Sequence, residues 1–201
     1  MTQLPCRTMR RVHPPADDYP TQIEAAIRAV LAEGLEAGAA ALEPIAYPPQ
    51  TIARRPGVPL ATAARLFKRD HFCCRYCSGK MIPTPIMALL GVLYPQSFPF
   101  HRNWKGGVTH PAVITRSPVI DHVNPGAWGG DWNADDNLVT ACWPCNASKA
   151  DFSLEQLGWP PLAEPVETEW DGLTSLYRPL WIAAGSPVVG GHPRWLVALG
   201  C

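Results

Sequence analysis

The segment DHVNPGAWGGDWNADDNLVTACWPCNASK, residues 121–149, decides the fold of this chain. Short apolar runs at residues 119–123 and 138–141 predict two strands, and the polar, Gly-containing stretch between them predicts a loop. A helix is expected from about residue 144 to 157. Because strand, loop, strand and helix follow one another directly, the segment predicts a small α+β core.

Cysteine spacing predicts a metal site in this core. The chain has two Cys-x-x-Cys pairs, Cys74 with Cys77 and Cys142 with Cys145. Four thiolates at about 2.3 Å, each pair binding from a tight turn, form the tetrahedral site that structural Zn²⁺ requires. A disulfide or incidental burial is the alternative. Cys6, Cys73 and Cys201 lack this spacing, and we expect them to be free thiols.

Asp121 and His122 stand together at the end of the first predicted strand. Histidine is the usual general base for water near neutral pH. Because adjacent strand residues point to opposite faces, the two side chains are not expected to form a dyad. Folding back of the segment would bring Asn146 near Asp121, and an oxygen from each could hold one hard divalent cation beside a helix N-terminus. An Asp-His pair without this context is more often ordinary surface chemistry.

With these motifs in this order, the sequence closely resembles the HNH endonuclease family in its four-cysteine subtype. The resemblance lies within residues 60–151, under half of the chain. It is carried by Arg69-Asp70, both cysteine pairs, Asp121-His122, Gly129-Gly130, Asn137-Leu138, Asn146 and Lys149.

The resemblance implies a ββα-metal core and a role for each matching residue. His122 would be the general base that activates water. Asp121 and Asn146 would hold a catalytic Mg²⁺ or Mn²⁺. The third residue of the motif is Asn146 rather than His, a variant that the family also uses. Asn137 would orient the base and brace the loop, and Lys149 would make a phosphate or structural contact.

One departure is the separation between Cys77 and Asp121, which is 43 residues. We expect an irregular insertion at about residues 81–116, close to the site. It carries His101 and His110, either of which could in principle join the metal, although a single loop histidine is more often a surface residue.

Charge is zero overall but unevenly distributed. Residues 54–116 carry ten Lys or Arg and a single acid, a net charge of +9, whereas residues 117–201 carry ten acids and only three Lys or Arg. The basic stretch predicts a phosphate-binding surface, with scattered solubilising charge as the alternative. The predicted nucleic-acid contacts are Arg65, Lys68, Arg69, Arg75 and Lys149.

Three regions are expected. In residues 1–58 we expect an arm, one amphipathic helix from Thr21 to about residue 41, and a Pro-rich linker. The apolar face of this helix would carry Ile23, Ile27, Val30, Leu31 and Leu35. Residues 59–158 predict the HNH domain, and residues 159–201 an irregular extension with a helix near 173–182. Charges within the most apolar run exclude a membrane span. The basic N-terminus has no apolar segment behind it, so we expect no secretory signal and a cytoplasmic location.

The leading functional hypothesis is a metal-dependent endonuclease that hydrolyses phosphodiester bonds in DNA, duplex or branched. DNA is favoured over RNA only through the resemblance. The alternative is a non-catalytic, zinc-stabilised module that binds nucleic acid. A thiol-redox protein ranks last, because it would leave Asp121, His122 and Asn146 unexplained.

Overall fold

The computed structural model describes residues 19–45 and 57–201, apart from 163 and 166. These described parts of the chain form two compact units, 19–45 and 57–201. The architecture is α+β, with helices and one small antiparallel sheet among the described residues. None of the described helices combines the length and apolar character needed to cross a bilayer.

The N-terminal unit is a pair of packed helices. Its elements are α1 (Tyr19–Glu33), α2 (Leu35–Leu42) and a 3₁₀ turn (Glu43–Ile45). The prediction of one helix from Thr21 was wrong, because α1 begins earlier and Gly34, at φ 97°, breaks the helix. Gly38 lies so close to Val30 that an added Cβ would be 2.1 Å from that side chain. The predicted apolar stripe is exposed within this unit, with Leu31 and Leu35 more than four-fifths accessible.

The main unit, residues 57–201, contains the other elements. They are α3 (Leu60–Arg69), α4 (Thr84–Leu93), α5 (Pro111–Arg116), β1 (Pro118–His122), a 3₁₀ turn (Gly126–Trp128), β2 (Leu138–Cys142), α6 (Trp143–Lys149), α7 (Thr174–Ala183) and α8 (His192–Leu199).

Strands β1 and β2 lie within one residue of the two predicted strands, and they pair in antiparallel orientation. Their register places Pro118 opposite Cys142 and His122 opposite Leu138. Helix α6 follows β2 directly and packs against both strands. The sheet and helix therefore bring the whole 121–149 segment into one small framework.

Helix α6 is shorter than predicted, since it ends at Lys149 rather than near residue 157. Ala150 adopts φ 46° and ψ −127°, which cannot continue a right-handed helix. The indole N–H of Trp128 donates to the carbonyl of Asp151 at 2.6 Å. This bond holds the chain against the loop instead of in a further helical turn.

Two segments expected to be irregular contain helices. The 81–116 insertion holds α4 and α5, and the C-terminal segment holds α8 in addition to the predicted helix α7. Helix α4 is almost wholly apolar, so it lacks the polar face that makes helical periodicity visible in a sequence. The main core joins α3, α4, α7 and α8 through a shared set of side chains: Ala64, Phe67, Phe72, Ile86, Leu89, Tyr177, Leu196 and Leu199.

Candidate metal centre and active site

Four cysteine side chains converge in the main unit. The cluster comprises Cys74, Cys77, Cys142 and Cys145, whose sulfur atoms all lie within 4.8 Å of one another. The Sγ atoms of Cys77 and Cys142 are 3.9 Å apart. Tetrahedral bonds of about 2.3 Å would separate two sulfurs by about 3.8 Å. The cluster could therefore hold a metal ion such as zinc.

The first cysteine pair lies in a tight knuckle after α3. The amide of Ser78 donates to the Cys74 carbonyl at 2.7 Å, and the amide of Cys74 donates to the Gly79 carbonyl at 3.0 Å. A side chain at residue 79 would come within 3.3 Å of the Cys77 sulfur, which favours glycine there. The amide of Arg75 donates to the Thr140 carbonyl at 2.9 Å and so joins the knuckle to β2.

Contacts among the four thiols shift their pKa values in opposite directions. Hydrogen bonds from Cys142 and Cys145 lower the pKa of the Cys77 thiol. Contacts with Cys142, Cys74 and Cys77 raise the pKa of Cys145. Four thiolates at these distances would repel one another, and a divalent cation bound between them would remove that repulsion.

Cys73 and Cys201 lie outside this cluster. Cys73 is adjacent to it in sequence but pairs its backbone with Lys80 in an isolated β-bridge. Burial raises the pKa of the Cys73 thiol. Cys201 is half-buried, and Cys6 lies outside the described residues. Only Cys74 of the Cys73-Cys74 pair is placed to bind the same ion as Cys77.

Asp121 is buried near the end of β1, with only 4% of its surface exposed. Its Oδ2 accepts a hydrogen bond from the Tyr76 hydroxyl at 2.7 Å and lies 3.5 Å from the Lys149 ammonium. Burial and the Asp121 carboxylate raise the pKa of Tyr76, so the hydroxyl stays protonated and donates. The carboxylate therefore has an internal cation as a partner.

His122 is also buried and faces the loop between the strands. Its Nε2 lies 3.1 Å from the Trp132 carbonyl, and the Trp132 ring packs edge-on at 4.8 Å between ring centroids. A carbonyl can only accept, so Nε2 carries the proton and the lone pair of the neutral ring is on Nδ1. Lys149 donates to the His122 carbonyl at 2.7 Å. Lys149 thus contacts both residues, but the side chains of His122 and Asp121 contact different groups, as expected for neighbours on a strand.

Asn137 connects three parts of the loop. Its amide nitrogen donates to the carbonyls of Asn124 and Asp131 at 3.0 and 2.8 Å, and its Oδ1 accepts from the Asn124 amide at 2.7 Å. Gly130 packs so closely that a Cβ would lie 2.0 Å from the Asn124 carbonyl oxygen. Because Asp131 precedes Trp132, these bonds hold the segment whose carbonyl contacts His122.

Asn146 lies in the first turn of α6, directly after Cys145, and is half-buried. Helix α6 packs on β1, which carries Asp121. No hydrogen bond joins these two side chains within the described residues. The cysteine cluster is the only group of three or more Cys, His, Asp or Glu side chains placed to bind a metal in the described ranges. An Asp-Asn pair lies outside that definition.

The buried carboxylate of Asp70 organises two of the predicted DNA contacts. Arg69 donates to both of its oxygens at 2.9 and 3.0 Å, and Arg75 donates to Oδ1 at 3.0 Å. The amide of Thr140 donates to Oδ2 at 2.8 Å. Burial alone would raise the pKa of Asp70, but the bonds from Arg69 and Thr140 outweigh it and lower the pKa. Both arginines thus stabilise the contact between α3 and β2.

The other predicted contacts differ in exposure. Lys149 is fully buried and donates to the His122 carbonyl on β1. Of the two contacts expected for Lys149, it makes the structural one, and the prediction of a phosphate contact was wrong for this conformation. Arg75 is also largely buried, with a side chain 11% exposed. Arg65 is half-exposed and pairs with Asp135 at 2.6 Å. Lys68 is exposed.

The two histidines of the insertion have local roles. His110 accepts a hydrogen bond from the Ala112 amide at 3.2 Å, which caps α5, and its ring stacks on Phe98. His101 accepts from the Asn103 amide at 3.2 Å. Neither belongs to a metal-binding group among the described residues.

Sequence reasoning missed Tyr76 and Trp132, which contact Asp121 and His122. Both are aromatic residues at positions that no motif specifies, and aromatic side chains usually predict core packing. Tyr76 lies between Cys74 and Cys77, and its hydroxyl reaches the Asp121 carboxylate only when the chain is folded.

Comparisons of the chain with protein-family models, curated proteins and solved structures give no match. The HNH resemblance therefore depends on the motif residues and their order.

Proposed function

We propose that this protein is a zinc-stabilised HNH-type endonuclease that hydrolyses DNA phosphodiester bonds with one further divalent cation. One observation carries the proposal. The β1–β2–α6 framework places Asp121 and His122 at the end of β1, and the cysteine cluster fixes the start of the helix that carries Asn146. A ββα-metal core would have this order of elements and residues.

In the proposed reaction, His122 removes a proton from the attacking water. The bond from Nε2 to the Trp132 carbonyl supports this role, since it leaves Nδ1 as the basic nitrogen and fixes the ring plane. Asn137 acts indirectly by holding the loop that contains this carbonyl. In this proposal His122 accounts for the proton transfer, and the Trp132 carbonyl and Asn137 account for the orientation of its ring.

Asp121 and Asn146 are the residues that would hold a catalytic Mg²⁺ or Mn²⁺, since both offer the oxygen ligands that these ions prefer. Such an ion would polarise the phosphate and stabilise the charge of the leaving oxygen. Lys149 and Tyr76 contact Oδ2 of Asp121, so Oδ1 is the oxygen that accepts no hydrogen bond among the described residues. The Tyr76 hydroxyl and the Lys149 ammonium thus hold the Asp121 carboxylate in one orientation from the buried side.

A second candidate function is a non-catalytic zinc module that binds nucleic acid. It is favoured by the ion pair between Asp121 and Lys149, which neutralises the carboxylate without a metal. It is also favoured by the burial of His122, which is 5% exposed. A nuclease of this design would need substrate or cation to open a path to both side chains.

The test is cleavage of supercoiled plasmid DNA by the zinc-loaded protein with Mg²⁺, Mn²⁺ or neither. We expect cation-dependent cleavage by wild type and a loss of about 10²–10⁴ in rate for His122→Ala. The matched control His71→Asn changes a half-buried histidine outside the proposed site and should cause no loss. Zinc content and DNA affinity should stay near wild type in both variants. Absence of cleavage on duplex, branched and single-stranded DNA would leave the binding module as the function.

A further inference from the structure

Two tryptophans from separate segments meet at the start of α6. Trp143 lies between the second pair of cysteines and is 42% exposed. Trp104, from the 81–116 insertion, packs edge-on against it with ring centroids 6.0 Å apart and ring planes at 85°. Because an edge-on neighbour contacts only part of a ring, Trp143 keeps apolar surface in contact with solvent.

Trp104 is presented by a tight turn. Its amide donates to the His101 carbonyl at 2.8 Å, and the His101 ring accepts from the Asn103 amide. Trp104 has φ 51°, in the left-handed region that bulky side chains rarely adopt. Such strain is maintained only where surrounding contacts enforce it, and it concentrates at ligand-binding positions.

The turn is positively charged. Residues 94–116 include no Asp or Glu, and Arg102 and Lys105 flank Trp104. Both cations are exposed, and neither forms an ion pair within the described parts of the chain. Alternating cations and aromatic rings are typical of surfaces that bind single-stranded nucleic acid, where cations contact phosphates and rings stack on bases.

The pair is adjacent to the proposed active site. Trp143 and Asn146 are three residues apart on α6, and side chains at this spacing share one face of a helix. A base stacked on Trp143 would therefore bring its own backbone to the side of the helix that carries Asn146.

We infer that Trp143, supported by Trp104, is a stacking site for an unpaired base, and that the substrate is DNA with unpaired nucleotides at the point of cleavage. This inference rests on the proposed nuclease function and narrows it. In a regular duplex the bases stack on one another and offer no free face to Trp143.

The test is binding of the full-length, zinc-loaded protein to labelled oligonucleotides, measured by fluorescence anisotropy without added Mg²⁺ or Mn²⁺ so that none is cut. Three ligands of equal length are compared: a single strand, its abasic counterpart and a duplex. The abasic strand keeps the phosphates and lacks the rings. We expect the single strand to bind more tightly than the abasic strand by roughly 5- to 150-fold, the range for one stacked base.

Variants test whether the two tryptophans cause the preference for the base-bearing strand over the abasic strand. Trp143→Ala should remove most of it, Trp143→Phe should retain part of it, and Trp104→Ala should weaken it without touching the zinc knuckle. Tyr94→Ala is the matched control, because it removes an exposed aromatic ring from the same insertion. Affinity for the duplex should change less than about twofold in all four.

The outcomes separate this inference from the proposed function. Equal affinity for base-bearing and abasic strands, or a uniform loss for strand and duplex in Trp143→Ala, overturns the inference and leaves the nuclease standing. A base preference in a protein that never cleaves DNA supports the stacking site and removes the nuclease. Failure to bind any of the three ligands removes both.

Discussion

The cysteine cluster and the carboxylate of Asp121 lie in the same β1–β2–α6 framework, but they balance their charge differently. The four sulfurs contact one another, so ionising all four together requires a cation from outside the chain. Asp121 contacts the Lys149 ammonium and the Tyr76 hydroxyl, so its charge is balanced within the fold.

In the proposed function, this difference would separate a structural metal at the cysteine cluster from an exchangeable cation at Asp121. A site that is repulsive without its ion couples metal binding to folding, as in small zinc domains. A site that is stable without its ion can bind and release it during a reaction. We therefore expect zinc loss to unfold the core, and loss of the proposed catalytic cation to leave the fold intact.

The largest effect is expected at the cysteine cluster. Cys145→Ser should abolish zinc binding and folding of the core, because structural zinc supplies roughly 10–16 kcal/mol of apparent free energy in zinc-finger peptides. Elemental analysis and circular dichroism melting curves measure both. The neighbouring Cys73→Ser is the matched control and should bind about one zinc per chain. Zinc-free wild type, or an unchanged melting curve for Cys145→Ser, would remove the structural metal from this account.

The next effect distinguishes the two members of the Asp-His pair. Asp121→Ala and His122→Ala should each lower the cleavage rate by about 10²–10⁴, the first through the cation and the second through the base. High Mn²⁺ should therefore partly restore Asp121→Ala and leave His122→Ala inactive. Plasmid cleavage across a Mn²⁺ series checks this. Equal rescue of both variants would mean that His122 also acts through the cation.

A smaller effect on stability is expected at Asp70. Asp70→Asn leaves Arg69 and Arg75 without their buried carboxylate and should lower the free energy of unfolding by about 3–5 kcal/mol. Because the pKa of Asp70 in the folded state is lowered below its usual 3.8, its contribution is present above that value and is lost as pH falls through the lowered pKa.

Urea unfolding across acidic pH measures this contribution. Wild type should lose stability toward low pH more steeply than Asp70→Asn. The control Asp136→Asn changes an exposed carboxylate and should keep the wild-type slope. Parallel pH curves for wild type and Asp70→Asn would show that the Asp70 network does not contribute in this way.

The smallest effect concerns the exposed cations of α3. Arg65→Ala should cost only about 0.2–1 kcal/mol of stability, because its pair with Asp135 is half-exposed. If α3 faces DNA, Lys68→Glu should make the affinity less dependent on salt, whereas Arg28→Glu in the N-terminal unit should not. Titration of a fixed duplex at several salt concentrations measures the slope. Identical slopes for both variants would place the phosphate-binding surface elsewhere.

Much of the main unit could be predicted because its signals are local. The hairpin follows from two short apolar runs, and the cysteine cluster follows from two x-x spacings. Helices α4 and α8 could not be predicted, since apolar or proline-containing helices lack a clear polar face and their formation depends on the shared core.

The sequence identifies the candidate residues of the site but not the contacts that these residues make. The sequence identifies Asp121, His122 and Asn137, but the partners that orient them come from distant or unspecified positions. The burial of Lys149 is an example, because a lysine in a helix normally predicts an exposed charge. Its position becomes evident only when α6 packs on β1.

The most direct test of two distinct metal sites is a titration of zinc-loaded protein with Mn²⁺, followed by electron paramagnetic resonance of the free ion. Thiolate clusters bind Mn²⁺ poorly, so the zinc should remain in place. The account predicts one additional Mn²⁺ per chain in wild type and in His122→Ala, and none in Asp121→Ala. Retention of all Mn²⁺ in free solution, or binding that Asp121→Ala leaves unchanged, would contradict it.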